Sequence, residues 1–264
     1  MFMTSVSGGV ATVVLDRPPV NAITEQWVES FNAKLDEVVG GTDCKVLHIR
    51  SSQKVFCAGA DLQEVHERMN VRDGPERMYS FVAGIQRLYA RIERLPQVTV
   101  AEIGGAAMGG GLELALACDL RVAAREAKLG LPEARLGLIP GAGGTQRLSM
   151  LCGPSVATRL ILGAEVVDGA TAQGLGLVQW AVPRAELTER TAEIIGRIDA
   201  LPAGALAAAK ACIAAARGGG RNGYSEELEA TRRLLSDAET RQRVEAFLAG
   251  AAHSAPGKRK GASA

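Results

Sequence analysis

Apolar positions along this chain follow two periods in turn. Short runs rich in β-branched residues occur at Val10 to Asp16 (VATVVLD), Lys45 to Arg50, Val55 to Cys57, Val98 to Ile103, Leu120 to Ala123 and Val178 to Val182. Runs of that length and composition predict buried strands. Between them lie longer stretches in which apolar residues recur every three or four positions. One starts at Thr24, an N-cap candidate, and reaches about Val39, where Gly40-Gly41 stops it. Residues 62 to 95 form a second, interrupted at Asp73-Gly74-Pro75, with Tyr79, Val82, Ile85, Leu88, Tyr89 and Ile92 marking its apolar stripe. Thr145 to Leu151, Ser155 to Leu162 and a short helix opened by Asp168-Gly169-Ala170 follow. Strands and helices alternating in this way predict an α/β fold.

Past Pro183 the pattern changes. Residues 184 to 217 are rich in Ala, Leu, Arg and Glu with one break at Leu201-Pro202, and 225 to 249 read as one further helix. No strand signal remains, so this region must bury its apolar stripe on the preceding domain or on another subunit. The expected division is an α/β domain over 1–197, a helical region over 198–252 and a basic, small-residue, disordered tail over 253–264.

The stretch from Val98 to Arg147 is the hardest to explain as structure alone. A strand runs into Gly104-Gly105, then Gly109-Gly110-Gly111, and directly into LELALACDL. Strand, glycines and helix in that order aim free backbone N–H groups at a bound negative charge. Glu113 stands there among Leu112, Leu114, Ala115 and Leu116, and Glu133 stands in LGLPEARLGLIPG beside further glycines. Each alone is explained as a helix-start acid complementing the dipole. Two such acids beside glycine-rich turns suit the addition or removal of water, one carboxylate taking a proton and the other giving one.

Composition narrows the alternatives. An apolar fraction of 47% supports a sizeable core, packed by Ala, Gly, Leu and Val because aromatics are only 4%. A formal charge of +1 supplies no general attraction for nucleic acid or anionic membrane. No apolar run reaches membrane-spanning length, and MFMTSVSGGV contains no basic segment followed by an apolar one, so the expectation is a cytoplasmic protein. Cys44, Cys57, Cys118, Cys152 and Cys212 form no CxxC pair and read as reduced core cysteines. His48, His66 and His253 show no metal spacing, and no metal is expected. The glycines fit no GxGxxG register, and neither a Walker A sequence nor a GxSxG elbow is present.

FCAGADL at 56–62, GGAAMGGGLELALACDLRVA at 104–123 and LGLPEARLGLIPGAGGTQRL at 129–148 together resemble the enoyl-CoA hydratase/isomerase, or crotonase, family. The resemblance runs from Leu15 to about Phe247. It implies a spiral of ββα units, with C-terminal helices that assemble trimers, commonly stacked in pairs as hexamers. It implies hydration of a trans-2-enoyl-CoA to a 3-hydroxyacyl-CoA, in fatty-acid or related acyl-CoA degradation, with coenzyme A entering only as part of the substrate and no other cofactor. By the same resemblance Glu113 and Glu133 are the catalytic acids, and the N–H groups of Ala60 and Gly110 form the oxyanion hole. Ala58, Gly59, Asp61, Leu62, Gln63, Gly109 and Gly141 are the substrate-binding positions that it implies. Gln63 stands where many relatives have lysine, and the usual basic contact near the C-terminus would fall to Lys258. Arg17 could reach a phosphate, although a solvated strand-end charge is the plainer reading. Two alternatives remain: a double-bond isomerase, which needs only one acid, and a non-catalytic or RNA-binding oligomer of the same fold.

Overall fold

The computed structural model describes residues 1–40, 43–216 and 222–254. The chain divides into two compact units, one spanning Met1–Leu201 and the other beginning at Pro202.

The first unit is built on a six-stranded sheet, in the order β1 (Phe2–Ser7), β2 (Val10–Leu15), β3 (Val46–Ser51), β4 (Val98–Ile103), β6 (Leu120–Ala124) and β9 (Trp180–Val182). All neighbours from β2 onward are parallel, and β1 folds back antiparallel across Gly8-Gly9. A second, three-stranded sheet holds β5 (Ala107–Met108), β7 (Lys128–Gly130) and β8 (Val166–Asp168). The chain visits the sheets in turn: β4 in the large one, β5 in the small one, a helix, then β6 and β7. That repeat of two strands and a helix is the spiral that the resemblance implies. Central β4 is buried on both faces, as a parallel strand covered on both sides must be.

Helix α1 (Glu25–Val39) begins where Thr24 Oγ1 accepts the Trp27 N–H at 3.1 Å. Its stripe of Trp27, Phe31, Leu35 and Val38 is buried, and Phe2 closes an aromatic cluster with Trp27 and Phe31 at centroid distances of 4.9 to 5.2 Å. Each such side chain contributes about 1.5–3 kcal/mol on burial. The charged stretch after it splits at Asn70 to Asp73 into α2 (Leu62–Met69) and α3 (Gly74–Arg94). In α3 the buried face is Phe81, Ile85, Leu88, Tyr89 and Ile92; Tyr79, expected on it, is 73% exposed. The run at Val55 to Cys57 makes only a single bridge, Cys57 to Ala107, rather than a strand.

Helix α4 (Gly110–Leu116) is fastened at its far end by a buried arginine. Arg121 donates to the carbonyls of Ala115 (3.1 Å), Cys118 (2.6 Å) and Leu177 (2.8 Å), placing a cation on the negative end of the helix dipole. Helices α5 (Gly144–Cys152), α6 (Pro154–Leu162) and α7 (Gly169–Gly174) follow, the last capped by Asp168 through the Thr171 N–H at 2.8 Å. Helix α8 (Leu187–Asp199) packs on β4, β6 and β3 through Leu187, Ile194 and Ile195. His48 on β3, Glu102 on β4 and Thr188 on α8 are linked at 3.0 and 3.2 Å, so His48 serves the joint between helix and sheet. Because α8 belongs to the first unit, the compact boundary falls at Leu201-Pro202; a division after residue 197 would cut α8 within its last turn.

The second unit comprises α9 (Ala203–Ala215), α10 (Gly223–Leu235) and α11 (Ala238–Ser254). The stretch expected as one helix over 225–249 is two. Ser236 ends α10, and Asp237 Oδ1 accepts the N–H groups of Glu239 (2.9 Å) and Thr240 (3.2 Å), capping a new helix. Ile213, Tyr224, Leu228, Leu235, Val244 and Phe247 are exposed on these helices. The tail expected from residue 253 falls, from 255 onward and including Lys258, outside the described residues. Among the described residues no single helix is long and apolar enough to cross a membrane.

Candidate active site

Three successive turns of the spiral bring their short strands into one ladder, Cys57 beside Ala107 and Ala107 beside Leu129. Each strand then releases a loop at the same edge. After Cys57 comes Ala58-Gly59-Ala60, after Met108 comes Gly109-Gly110, and after Gly130 comes Leu131-Pro132-Glu133. The loops are held to one another by Met108 N–H to Cys57 O and Gly109 N–H to Gly130 O, both 3.0 Å.

Ala60 pairs in parallel with Ile23, a bridge made by the Gly59 carbonyl and the Asp61 N–H. In a parallel bridge the middle residue turns its own N–H away from its partner strand, and Ala60 borders a cavity of about 720 Å³. Gly110 opens α4, so its N–H has no carbonyl one turn back within the helix, and it borders the same cavity. The two loops touch: a Cβ on Gly110 would lie 3.8 Å from Ala60 N, and one on Gly59 would lie 3.3 Å from Gly110 N.

The glycine triplet answers to the protein itself as much as to a ligand. Gly109 has φ +51°, a left-handed conformation, and a Cβ there would meet Glu133 Oε1 at 2.9 Å. One on Gly111 would overlap the Cys57 carbonyl, and one on Gly110 would press Ile23 Cδ1 at 2.9 Å. Backbone packing, not room for a ligand, is therefore what excludes a side chain at 111.

Glu113 is 2% exposed in the first turn of α4. Its Oε1 accepts the Gly144 N–H at 2.7 Å, from the start of α5. Burial is the largest influence on its acidity; the Gly144 N–H pulls the other way, the Glu133 charge adds to the rise, and the pKa is pushed up to about 7. Glu133 opens a 3-10 turn, Glu133–Leu136, just after Pro132. Burial pushes its carboxyl up as well, and its enclosed Oε2 accepts no hydrogen bond among the described residues.

Ala58, Gly59, Leu62, Gly109 and Gly141 border the cavity along with both acids, Ala60 and Gly110. Asp61 and Gln63 do not. The Asp61 carboxylate is spent on the structure, capping α2 through the Gln63 N–H (3.1 Å) and pairing with Arg17 (3.2 Å), while Gln63 faces outward from the first turn. Arg17, expected as a solvated charge, is thus tied to Asp61 and to the Ala22 carbonyl (3.2 Å).

Three contributors escaped the sequence reading. Tyr89, counted as core, donates its hydroxyl to the Gly110 carbonyl at 2.7 Å. Arg147 pairs with Glu93 at 3.1 Å and donates to Ala142 O at 2.9 Å, bracing the loop that offers Gly144. Gly144 itself was signalled only by its place in GAGGTQR, before a helix start.

The sequence model of the enoyl-CoA hydratase/isomerase family matches residues 5–250. Enoyl-CoA hydratase domain-containing protein 2 of Mus musculus is 41% identical over 70% of this chain and 61% of its own length. Methylglutaconyl-CoA hydratase of the same organism is 43% identical over 60% of this chain and 49% of its own length. The matches thus span between about half and three-fifths of these relatives. An enoyl-CoA hydratase from Bacillus anthracis superposes with a TM-score of 0.87 at 32% identity, covering 94% of this chain and 96% of that one. With a family match over nearly the full length and a spiral of the same kind, this chain belongs to the enoyl-CoA hydratase/isomerase family.

Proposed function

We propose that the protein adds water across the double bond of a trans-2-enoyl-CoA thioester. The observation that carries this reading is the meeting of a buried carboxylate, Glu113, a half-buried one, Glu133, and the backbone of Ala60 and Gly110 on one largely apolar cavity. As water attacks Cβ, electrons move through the double bond onto the thioester oxygen. The N–H groups of Ala60 and Gly110 receive that charge, and losing such a donor typically costs about 100- to 1000-fold in rate.

Glu113 takes the proton of the attacking water, and Glu133 supplies a proton to Cα as the enolate collapses. Their surroundings raise both carboxyls. The Gly144 N–H steadies an ionised Glu113, whose pKa of about 7 suits a base working near neutrality. Burial raises the Glu133 carboxyl as well, though less than that of Glu113, so the proton is shared within a coupled pair and the division of roles follows the family resemblance. After one turnover the proton taken from water sits on Glu113 and Glu133 is ionised, so exchange through the product side resets the pair.

We also propose that the second unit mediates self-association into a trimer or hexamer. Helix α9 is apolar on all sides, and Tyr224, Leu228, Leu235 and Phe247 are exposed on α10 and α11.

The test is spectrophotometric. Purified protein mixed with crotonyl-CoA or longer trans-2-enoyl-CoAs should remove the conjugated thioester absorbance and yield a 3-hydroxyacyl-CoA. Absorbance that instead appears from a 3-enoyl-CoA, with no hydration, would replace this reading by isomerisation. Absence of both reactions in folded protein would remove the enzyme reading.

A further inference from the structure

The cavity that holds the acids is larger than a thioester carbonyl and two carboxylates require, and its remaining wall is apolar. Val65 from α2, Met78, Val82 and Ile85 from α3, and Leu138 and Ile139 from the loop after Glu133 form that wall. Among the residues that line it there is no Lys or Arg; its only charges are the two acids. Behind Val65, Pro75, Met78 and Leu138, which it shares, lies a second chamber of about 290 Å³ that adds Arg68, Met69 and Gly74. The partition between the chambers is therefore made of side chains, with Met78 and Leu138 only half-buried.

Arg68 is the one cation of the second chamber, and its charge is already engaged. It pairs with Glu64 at 3.1 Å and Glu25 at 3.3 Å, and its guanidinium stands 4.5 Å from the centre of the Phe81 ring. A carboxylate on the distal end of an acyl group would have to displace two carboxylates to reach it. A hydrocarbon tail faces no such barrier. Around the same opening Leu62, Met69, Tyr79, Leu136 and Ile139 are more than half exposed. Apolar side chains gathered at the rim of a cavity mark the place where an apolar ligand enters.

We infer that this site selects uncharged acyl chains of medium to long length, the distal carbons passing the Met78–Leu138 partition into the second chamber. The inference rests on the acyl-thioester reading above and narrows it. A carboxylated acyl group, such as the name of the methylglutaconyl-CoA hydratase relative implies for that protein, finds no unengaged cation on these walls.

Binding separates this inference from the hydration chemistry. Dissociation constants would be measured calorimetrically for the saturated thioesters butanoyl-, decanoyl-, hexadecanoyl- and glutaryl-CoA, none of which can be hydrated. Each added methylene should tighten binding, by up to about fourfold if fully buried, so decanoyl- and hexadecanoyl-CoA should exceed butanoyl-CoA by well over tenfold. Glutaryl-CoA should bind no better than butanoyl-CoA. Met78→Phe, which thickens the partition, should weaken hexadecanoyl-CoA about tenfold more than decanoyl-CoA, and Met78→Ala should shift that ratio the opposite way. Affinity independent of chain length, a preference for glutaryl-CoA, or a ratio unmoved by both variants would overturn the inference. Length-dependent binding without hydration of any enoyl-CoA would leave it standing while removing the hydratase reading.

Discussion

The Tyr89 hydroxyl donates to the Gly110 carbonyl across 2.7 Å, joining the middle of α3 to the first residue of α4. The ring is fully buried, and burial is also the main reason its hydroxyl is held well above the usual tyrosine range, as a donor. Gly110 therefore has its carbonyl, in the peptide that follows it, tied to a rigid helix, while the residue itself borders the cavity. Tyr89→Phe keeps the packing and deletes only this bond. The expected loss is about 0.5–1.5 kcal/mol of stability. A displaced but present oxyanion donor should lower kcat roughly tenfold, less than removal of a donor would, with KM moving much less. Equal changes in kcat and KM, or none in either, would show that Tyr89 only packs.

Glu113→Gln and Glu133→Gln retain size and remove the base or the acid. Hydration by either variant should fall by at least ~100-fold. Binding of a saturated acyl-CoA should survive, because the proposed oxyanion donors are backbone groups. Near-normal turnover in either variant would sink the two-carboxylate mechanism.

The raised Glu113 pKa makes both activity and stability depend on pH. Its folded value of about 7 lies above the ordinary 4.5, so folding favours the protonated form. The stability this contributes is fully present below pH 4.5 and is lost as pH rises through about 7, amounting to on the order of 3 kcal/mol. Activity needs one carboxyl of the pair ionised and the other protonated, so kcat/KM should rise and then fall with pH in a bell-shaped profile. The apparent midpoints belong to the Glu113–Glu133 pair, since the two charges interact. Denaturant midpoints and kcat/KM across the acid-to-neutral range check both, and Glu113→Gln should flatten the stability slope.

Gly111 and Gly153 make a matched pair. Gly111→Ala drives a methyl into the Cys57 carbonyl and should cost about 1–3 kcal/mol. Gly153, at φ +81° and ψ 159°, has nothing within 4 Å of a Cβ, so Gly153→Ala should cost only the strain of a backbone region open essentially to glycine, about 1–3 kcal/mol, and should spare turnover. A fully active, undestabilised Gly111→Ala would mean that the ladder between Cys57 and Ala107 yields easily. Gly110→Val is the less decisive substitution, since Ile23 Cδ1 stands in its way before any ligand does.

Light scattering should give a trimer or a hexamer, as the exposed apolar residues of α10 and α11 require a cover. A monomer at micromolar concentration would reject this assembly. Leu228→Glu or Phe247→Glu, changing residues that are 71% and 75% exposed, should shift the equilibrium toward monomer without unfolding the first unit.

Signals confined to a few neighbouring residues could be read directly from the chain. Thr24 and Asp168 cap helices because each satisfies N–H groups two or three residues ahead. Strands β2, β3, β4 and β6 show their apolar runs because parallel strands are covered on both faces. The acids stood out because burying a carboxylate among leucines is costly. Strands β5, β7 and β8, two or three residues each, are too short to show a period, and they exist through pairing with partners tens of residues away. That pairing stacks three loops at one edge and sets Ala60 beside Gly110. The same distance hid Tyr89 beneath Gly110, Gly144 against Glu113 and Arg17 against Asp61, separated by 21, 31 and 44 positions. Periodicity and capping act within about one helical turn, whereas these contacts form only once turns of the spiral lie on one another. The chain alone thus singles out the two acids, and stacking gives each its surroundings: the Gly144 N–H for Glu113, and the edge of the cavity for Glu133.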